Sequence, residues 1–341
     1  MRVALDAMGG DHAPEAIVEG ALLAAKEQPQ TQIILVGDKN RIASLLGRAQ
    51  ENHSNIIIHH ASQVIGMGES PLLGLRQKKD SSISVAVQMV KEGKADAVVG
   101  AGNTGAVVAA TKLKLRFLEC IERPAIATTF RHLSGISVLL DAGANIDCTP
   151  RYLFEFAVMG NVYAKEILGR SNPRVGLLSI GEEEGKGNEL TKETFKLLER
   201  TNLNFIGNVE GRDVLSGTAD VIVCDGFVGN VVLKVGESVA AFFKEMMKKE
   251  FMANPVRKFG AFLLSGAFRS IAHKTDYSEY GGAPLIGVKG TCIICHGSSN
   301  PKAIKNAIRV ATEFVGHNVN THIVEAMKNQ LAALAQPTPT A

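Results

Sequence analysis

The chain has no tryptophan, and neither sign of charge dominates: 37 Lys and Arg against 34 Asp and Glu leave a net +3 in 341 residues. A field that weak gives no case for a nucleic-acid partner, so any basic surface has to be local. Cysteine is scarce and odd in number, at Cys120, Cys148, Cys224, Cys292 and Cys295, which excludes a disulfide scaffold and fits a reducing compartment. Cys292 and Cys295 make a CxxC, but inside "TCIICHG", a strand pattern in which side chains three apart face opposite ways; no metal or redox role is expected. The nine histidines show no HxxxH spacing, His59-His60 alternate faces at a strand end, and no G-x-S-x-G elbow is present. No apolar run approaches the roughly 18 residues of a membrane span. Met1-Arg2 leads straight into Val3-Ala4-Leu5 without a leader pattern. A cytoplasmic protein that does not span a membrane is expected.

What the chain has in quantity is glycine, 34 residues, within a 45% hydrophobic composition. Short apolar, β-branched runs recur at 2–6, 32–38, 55–60, 96–102, 136–143, 174–181, 204–208, 220–226 and 291–297. Their apolar residues are consecutive, which suits strands buried on both faces of a parallel sheet. Helical patterns such as 14–28 and 188–201 separate them. The prediction is α/β: a mainly parallel sheet flanked by helices in three layers, one catalytic domain over 1–330. Nearly every run ends in glycine and a polar residue, and ligands of open parallel sheets sit at the carboxyl ends of the strands. The loop "DAMGGDHAP" after the first run is a leading candidate, since its glycines let backbone approach a ligand closely. "ADAVVGAGNTGAVV" (95–108) and "ADVIVCDGFVGNVV" (219–232) match each other as strand, glycine loop and helix start. Such a helix start favours an anion.

Two near-matches fail. "GEEEGKGN" (181–188) is one residue short of a P-loop, and Gly187 stands where the metal-binding Ser or Thr belongs. "GAGNTG" (100–105) fits G-x-G-x-x-G but no acidic strand end follows about twenty residues on.

Residues 234–275 lack strand signals and read as an inserted helical hairpin, with helices over 237–251 and 254–274 and Pro255 in the first turn of the second. Its tip carries Phe251, Met252, Phe259, Phe262, Leu263 and Leu264 beside Lys248, Lys249, Arg257 and Lys258. That mixture suits an anionic membrane surface or a dimer interface. The tail from 334 to 341 is expected to be disordered.

Taken together, "DAMGGDHAP", "AGNTGA" (101–106), "DAGAN" (141–145), "GEEEGKGNEL" (181–190), "NFIGNVEGRD" (204–213), "DGFVGN" (225–230), "YGGAPLIG" (280–287) and "HGSS" (296–299) closely resemble the PlsX family of bacterial phosphate acyltransferases, over residues 1 to about 320. The resemblance implies a fold similar to phosphotransacetylases and isopropylmalate-type dehydrogenases, and no metal or redox cofactor. It implies transfer of an acyl group from acyl carrier protein to inorganic phosphate, giving acyl phosphate that a downstream glycerol-3-phosphate acyltransferase consumes in phospholipid synthesis. A homodimer is implied, with peripheral membrane contact through 251–264 at the inner face of the cell membrane.

Phosphate attack on a thioester needs positioning and charge stabilisation rather than a covalent nucleophile. On that chemistry Gly9, Gly10, Asn103, Thr104, Gly105, Gly229 and Asn230 are expected to cradle the anion, with Asn188 beside them. Lys186 is expected to supply a cation. His296 and Ser298 would donate hydrogen bonds, while Asp6, Asp11 and Asp225 orient His12, Lys186 or a loop, or else cap the next helix. Arg76, Lys78, Lys79, Lys112, Lys114 and Arg116 are candidates for docking an acidic carrier protein. Three alternatives stay open: an acyl-coenzyme A phosphotransacetylase for short acyl groups, a nicotinamide-dependent dehydrogenase of related fold, and a non-enzymatic carrier-protein or lipid-surface binding module.

Overall fold

The computed structural model describes residues 1–47, 53–132, 134–275 and 277–335. The first half alternates β1 (Arg2–Asp6), α1 (Glu15–Glu27), β2 (Gln32–Gly37), α2 (Lys39–Leu46), β3 (Ile56–His60), α3 (Pro71–Gln77), α4 (Ser82–Lys91), β4 (Ala97–Gly100) and α5 (Thr104–Leu115). Next come β5 (Ala125–Ile126), β6 (Thr128–His132), β7 (Gly135–Leu140), α6 (Pro150–Glu166), β8 (Val175–Leu178), α7 (Glu189–Glu199), β9 (Phe205–Val209) and β10 (Val221–Val223). The chain closes with α8 (Gly226–Met252), α9 (Pro255–Leu263), α10 (Ser265–Thr275), β11 (Ala283–Ile286), β12 (Thr291–Ile294), α11 (Pro301–Gly316) and α12 (Val319–Leu334).

The α/β expectation holds, but the strands divide between two sheets. Seven run in the order β3-β2-β1-β4-β12-β11-β5 and five in the order β6-β7-β10-β8-β9. All neighbours are parallel except β11 with β12 and β5, and β6 with β7. Of these antiparallel-paired strands, β7 and β12 were among the apolar runs, whereas β5, β6 and β11 were not. β5 has two residues and β6 reads Thr-Thr-Phe-Arg-His, so neither offers a long apolar signal. Only Ala127 separates them, so the chain leaves the edge of one sheet and enters the edge of the other there. Arg131 of β6 donates from Nε to the Tyr280 hydroxyl at 2.5 Å, a tie across the same junction.

The consecutive apolar runs are buried on both faces, as parallel strands require. On β1, Val3 and Leu5 pack with α1 and α11 residues Ile17, Ile304 and Ile308, whereas Ala4 packs on the other side with Val87 and Val107. Each fully buried side chain of this kind contributes about 1.5–3 kcal/mol. The CxxC cysteines obey the strand geometry: Cys292 belongs to the α4–α5 side and Cys295 to the α1–α11 side. α6 is apolar nearly all round, with every residue from Leu153 to Ala164 buried, and it centres the core of the five-stranded half.

The helical insertion differs in its bounds. α8 is one helix of 27 residues that begins at Gly226, inside the glycine loop, and the expected second helix divides into α9 and α10. Pro255 does stand at the start of α9, with Asn254 accepting the Arg257 amide at 2.9 Å. Only Gly226 and Gly229 of α8 are buried, and no α9 residue is. By length and composition α8 is apolar enough to cross a membrane, which the sequence reading missed because Lys234 and Glu237 interrupt the run without ending it. Of the tail expected to be disordered, Leu334 still ends α12, while residues 336–341 lie outside the described residues.

Candidate active site

Three of the predicted loops meet because their strands are neighbours. β1, β4 and β12 lie side by side and parallel, so their carboxyl ends release chain into one place. Asp6, at the end of β1, is buried and folds its own loop. Burial pushes its carboxyl up, while the Ser82 hydroxyl and the Met8 and Gly9 amides hold the charged form. Gly9 then passes so close to the β4 loop that a Cβ there would stand 2.9 Å from Gly102 Cα. Gly10, at φ +117°, faces the carbonyls of Ala101 and Gly297, and the Asp11 amide donates to Gly297 O at 2.8 Å. The side chains of Asp11 and His12 are exposed at the rim. Asp6 therefore holds amides of its own loop, and among the described residues no hydrogen bond or ion pair joins it to His12.

Asn103 is fully engaged. Its Oδ1 caps α5 by accepting the Ala106 amide at 3.1 Å, and its Nδ2 donates to the carbonyls of Met67 at 3.0 Å and Glu69 at 2.9 Å. It fastens the 66–69 segment to the site, which leaves Thr104 and Gly105, both exposed, as the α5 residues open to an anion. Asp225 caps α8 through the Val228 amide at 2.9 Å, and Asn188 caps α7 through Thr191 at 2.9 Å. Asn103 and Asn188, expected on the anion, and Asp225, expected to orient a neighbour or cap the next helix, are thus all committed to starting helices.

The two matching stretches occupy matching places. Each supplies a strand with two parallel neighbours, β4 or β10, and the helix after it. Their glycines share a function: Gly102 lies against Gly9, while Gly226 lies against Asn145 O and Gly229 against the Asp141 carbonyl. They sit in different sheets, and α8 starts two residues earlier than α5 relative to the match.

The "DAGAN" loop after β7 is organised around Asp141. This buried carboxylate accepts from the amides of Ile126, Ala144 and Asn145 at 2.9, 3.0 and 2.7 Å. Burial nonetheless pushes its pKa up. Gly143, at φ +133°, lies against the exposed Asn230. Lys112 of α5 reaches across to donate to Ala144 O at 3.2 Å and Asn145 Oδ1 at 3.3 Å. Burial pulls its pKa down.

The two sheets come together at His296, which follows β12. Its Nδ1 lies 2.8 Å from Ser298 Oγ and accepts the Ser298 amide at 3.2 Å. Its Nε2 lies 3.5 Å from Nζ of Lys234 on α8, which is also paired with Glu237 at 2.8 Å. Asn230 and Lys234 are one turn apart and open onto a groove of about 490 Å³ that continues along Val231, Val235 and Val239.

Lys186 and Asn188 stand on the exposed loop after β8. Among the described residues no hydrogen bond or ion pair joins that loop to His296. It is held by Asn208, whose Nδ2 donates to Glu183 O at 2.9 Å, and by Arg212 on Glu182 at 3.0 Å. Of the docking candidates, Arg76, Lys79 and Arg116 are exposed. Lys78 is paired with Glu69, Lys114 bonds Gln88 at 3.3 Å, and Lys112 belongs to the Asp141 loop. Sequence reasoning missed Lys234, Asp141 and Asn208, and took Lys112 for a carrier-docking cation. Lys234 had a signal, a lone cation about two turns into an apolar helix that starts within "DGFVGN".

No group of three or more metal-binding side chains occurs among the described residues. Burial raises Cys148, Cys292 and Cys295 to about 12 and Cys224 above its ordinary value.

Residues 1–322 match the family model described as fatty acid synthesis protein. A phosphate acyltransferase of Trichlorobacter lovleyi is 51% identical over 98% of this chain and 96% of its own. A solved phosphotransacetylase from Streptococcus pyogenes shares the fold at TM-score 0.57 and 15% identity, covering 96% of this chain and 94% of its own. A 4-hydroxythreonine-4-phosphate dehydrogenase from Klebsiella pneumoniae shares it at TM-score 0.52 and 11% identity, over 92% and 97%.

Proposed function

The chain belongs to the phosphate acyltransferases of the fatty acid synthesis protein family, and from that premise we propose that it moves a fatty acyl group from acyl-[acyl carrier protein] to inorganic phosphate. The product, an acyl phosphate, serves phospholipid synthesis through a downstream glycerol-3-phosphate acyltransferase.

Phosphate is already an anion at neutral pH, and a thiolate with an ordinary pKa near ~8.5 leaves readily. Phosphate oxygen attacks the thioester carbonyl directly. The carbonyl electrons move onto oxygen and return as the carrier thiolate departs and takes a proton from solvent. The enzyme's share is to hold both reactants and stabilise the oxyanion. The observation that carries this reading is the convergence of the β1, β4 and β12 glycine loops beside His296, with Gly9 against Gly102 and Gly10 against the Ala101 and Gly297 carbonyls. Four of the five cysteines are held protonated by burial, and among the described residues no carboxylate is bonded to His296 to form a triad.

Gly9, Gly10, Thr104, Gly105, Gly229 and Asn230 line the anion's approach, while Lys186 supplies a cation from the β8 loop. Asp6 and Asp11 order the first loop around His12, and Asn103, Asn188 and Asp225 set the helix starts. The exposed Arg76, Lys79 and Arg116 receive the acidic carrier protein. Beyond Phe242, the largely apolar, exposed arm of α8–α10 serves homodimerisation and peripheral contact of a cytoplasmic enzyme with the inner face of the membrane. A dehydrogenase reading has the fold in its favour but lacks a dinucleotide fingerprint, and a pure binding module leaves the loop convergence without a use.

The test offers palmitoyl-[acyl carrier protein], palmitoyl-coenzyme A and acetyl-coenzyme A separately, with phosphate, and follows hydroxylamine-trappable acyl phosphate. Turnover with the carrier protein thioester at least tenfold above both others supports the reading. Preference for acetyl-coenzyme A would make the protein a short-chain phosphotransacetylase instead.

A further inference from the structure

The tautomer of His296 decides whether its contact with Lys234 is a hydrogen bond. Nδ1 of His296 accepts the Ser298 backbone amide at 3.2 Å, an N–H that cannot reverse. The Ser298 hydroxyl, 2.8 Å away, can donate to the same nitrogen. A neutral imidazole that accepts at Nδ1 carries its proton on Nε2. That N–H stands 3.5 Å from the Lys234 ammonium, a group that only donates. Two donors have been brought together from two different sheets with no acceptor between them. Glu237 does not resolve this, since it pairs with Lys234 at 2.8 Å from the next turn of the same helix and fixes the ammonium in place.

Two preorganised donors aimed at one point are how a site receives an oxygen that becomes negative during reaction. The surroundings choose which oxygen. The groove that starts at Asn230 and Lys234 continues along Val231, Val235, Val239 and Phe242, an apolar face about 16 Å long on α8. Lys234 itself lines it, with His296 Nε2 3.5 Å from that ammonium, so an apolar chain lying along it carries its first carbon to the pair. Phosphate has no such chain; a fatty acyl thioester does.

We propose that Lys234 is a catalytic residue: its ammonium and the His296 Nε2–H together hold the thioester carbonyl oxygen, and the acyl chain lies along the Val231–Phe242 face of α8. This rests on the acyl-transfer reading above. As phosphate oxygen bonds to the carbonyl carbon, the π pair moves to the held oxygen. When that pair returns, the carbon–sulfur bond breaks and the carrier thiolate leaves.

The experiment compares full-length wild type with Lys234→Met and Lys234→Arg, at saturating palmitoyl-[acyl carrier protein] and varied phosphate. Loss of one oxyanion donor lowers kcat by roughly 10²–10³-fold. The proposal therefore expects a fall of that size in Lys234→Met with phosphate KM unchanged, and partial recovery in Lys234→Arg. A kcat near that of wild type overturns it. So does a raised phosphate KM at retained kcat, which would place Lys234 on phosphate. Lys234 is exposed, and a matching melting temperature shows that the variant folds. The groove is read with Val235→Asp, which should lower the preference for palmitoyl over acetyl carrier protein by about tenfold or more. An unchanged preference with an altered oligomeric state gives the groove to a second copy and overturns the acyl assignment. A wild type inert towards every thioester would remove the acyl-transfer reading itself, an outcome distinct from an active wild type matched by Lys234→Met.

Discussion

Gly9→Ala is the smallest change that tests whether the loop convergence matters. The new Cβ would stand 2.6 Å from Asp6 Oδ2 and 2.9 Å from both Cα and N of Gly102. Carbon atoms in contact prefer about 3.5–4.0 Å, so something must move by roughly 0.6–1 Å. Asp6 cannot swing aside, because it is buried and its oxygens are held by Ser82 and the Met8 and Gly9 amides. The β1 and β4 loops must therefore separate. Overpacking of this kind costs about 1–3 kcal/mol, which for a chain of this size lowers Tm by roughly 2–6 °C. The functional loss should be larger, since a misplacement of about 1 Å at a reacting centre costs on the order of 10²-fold. The assay pairs Tm with kcat/KM for phosphate-dependent thiol release. Gly316→Ala serves as control, because a Cβ at Gly316 meets nothing within 4 Å. A Gly9→Ala protein with wild-type kcat/KM would refute the idea that these loops touch in order to place a substrate.

Asp220 anchors Arg174 at 3.0 Å and Arg170 at 3.5 Å. Burial works to raise its carboxyl, but the Arg174 hydrogen bonds and both charges outweigh it and leave the pKa below the ordinary value. Its stabilisation is then present above about pH 4, the unfolded value, and is lost as pH falls through the folded one. Asp220→Asn should cost about 1–3 kcal/mol at pH 7 in urea unfolding, with the gap to wild type closing below about pH 4. An equal gap at pH 3 would contradict the assignment. Cys292→Ala with Cys295→Ala should retain turnover within a few-fold, since both thiols are buried and held protonated; abolished turnover in a folded variant would restore a thiol mechanism. Phe262→Ser with Leu263→Ser, at side chains 72% and 67% exposed, should reduce flotation with anionic vesicles while leaving soluble turnover intact, and unchanged flotation would move the membrane contact elsewhere.

Most of the strands were legible because parallel strands buried on both faces leave consecutive apolar runs, as Val3-Ala4-Leu5 and Val221-Ile222-Val223 do, but their order in the sheets was not. β5 and β11 escaped because runs of two and four residues are too short to stand out, and β6 because Thr-Thr-Phe-Arg-His mixes polar and apolar side chains, and with them went the division into two sheets. The loops were legible because glycine is required where backbones cross, at Gly9, Gly102 and Gly229. Side-chain roles were harder to read. Asn103 and Asn188 are of a residue type that both binds anions and caps helices, Asp225 of one that both orients bases and caps, and only coordinates show their oxygens turned onto Ala106, Thr191 and Val228. Lys234 and Lys112 were obscured because their partners, His296 and Asn145, lie 62 and 33 residues away in sequence.

Direct attack by phosphate is best tested in one single-turnover measurement. Excess enzyme is mixed with palmitoyl-[acyl carrier protein], with and without phosphate, and free carrier thiol and intact enzyme mass are followed together. The account predicts thiol release only with phosphate, one acyl phosphate per thiol, and an enzyme mass that never gains a palmitoyl group. Thiol release without phosphate, accompanied by a palmitoylated enzyme at Ser298 or any other side chain, would contradict it.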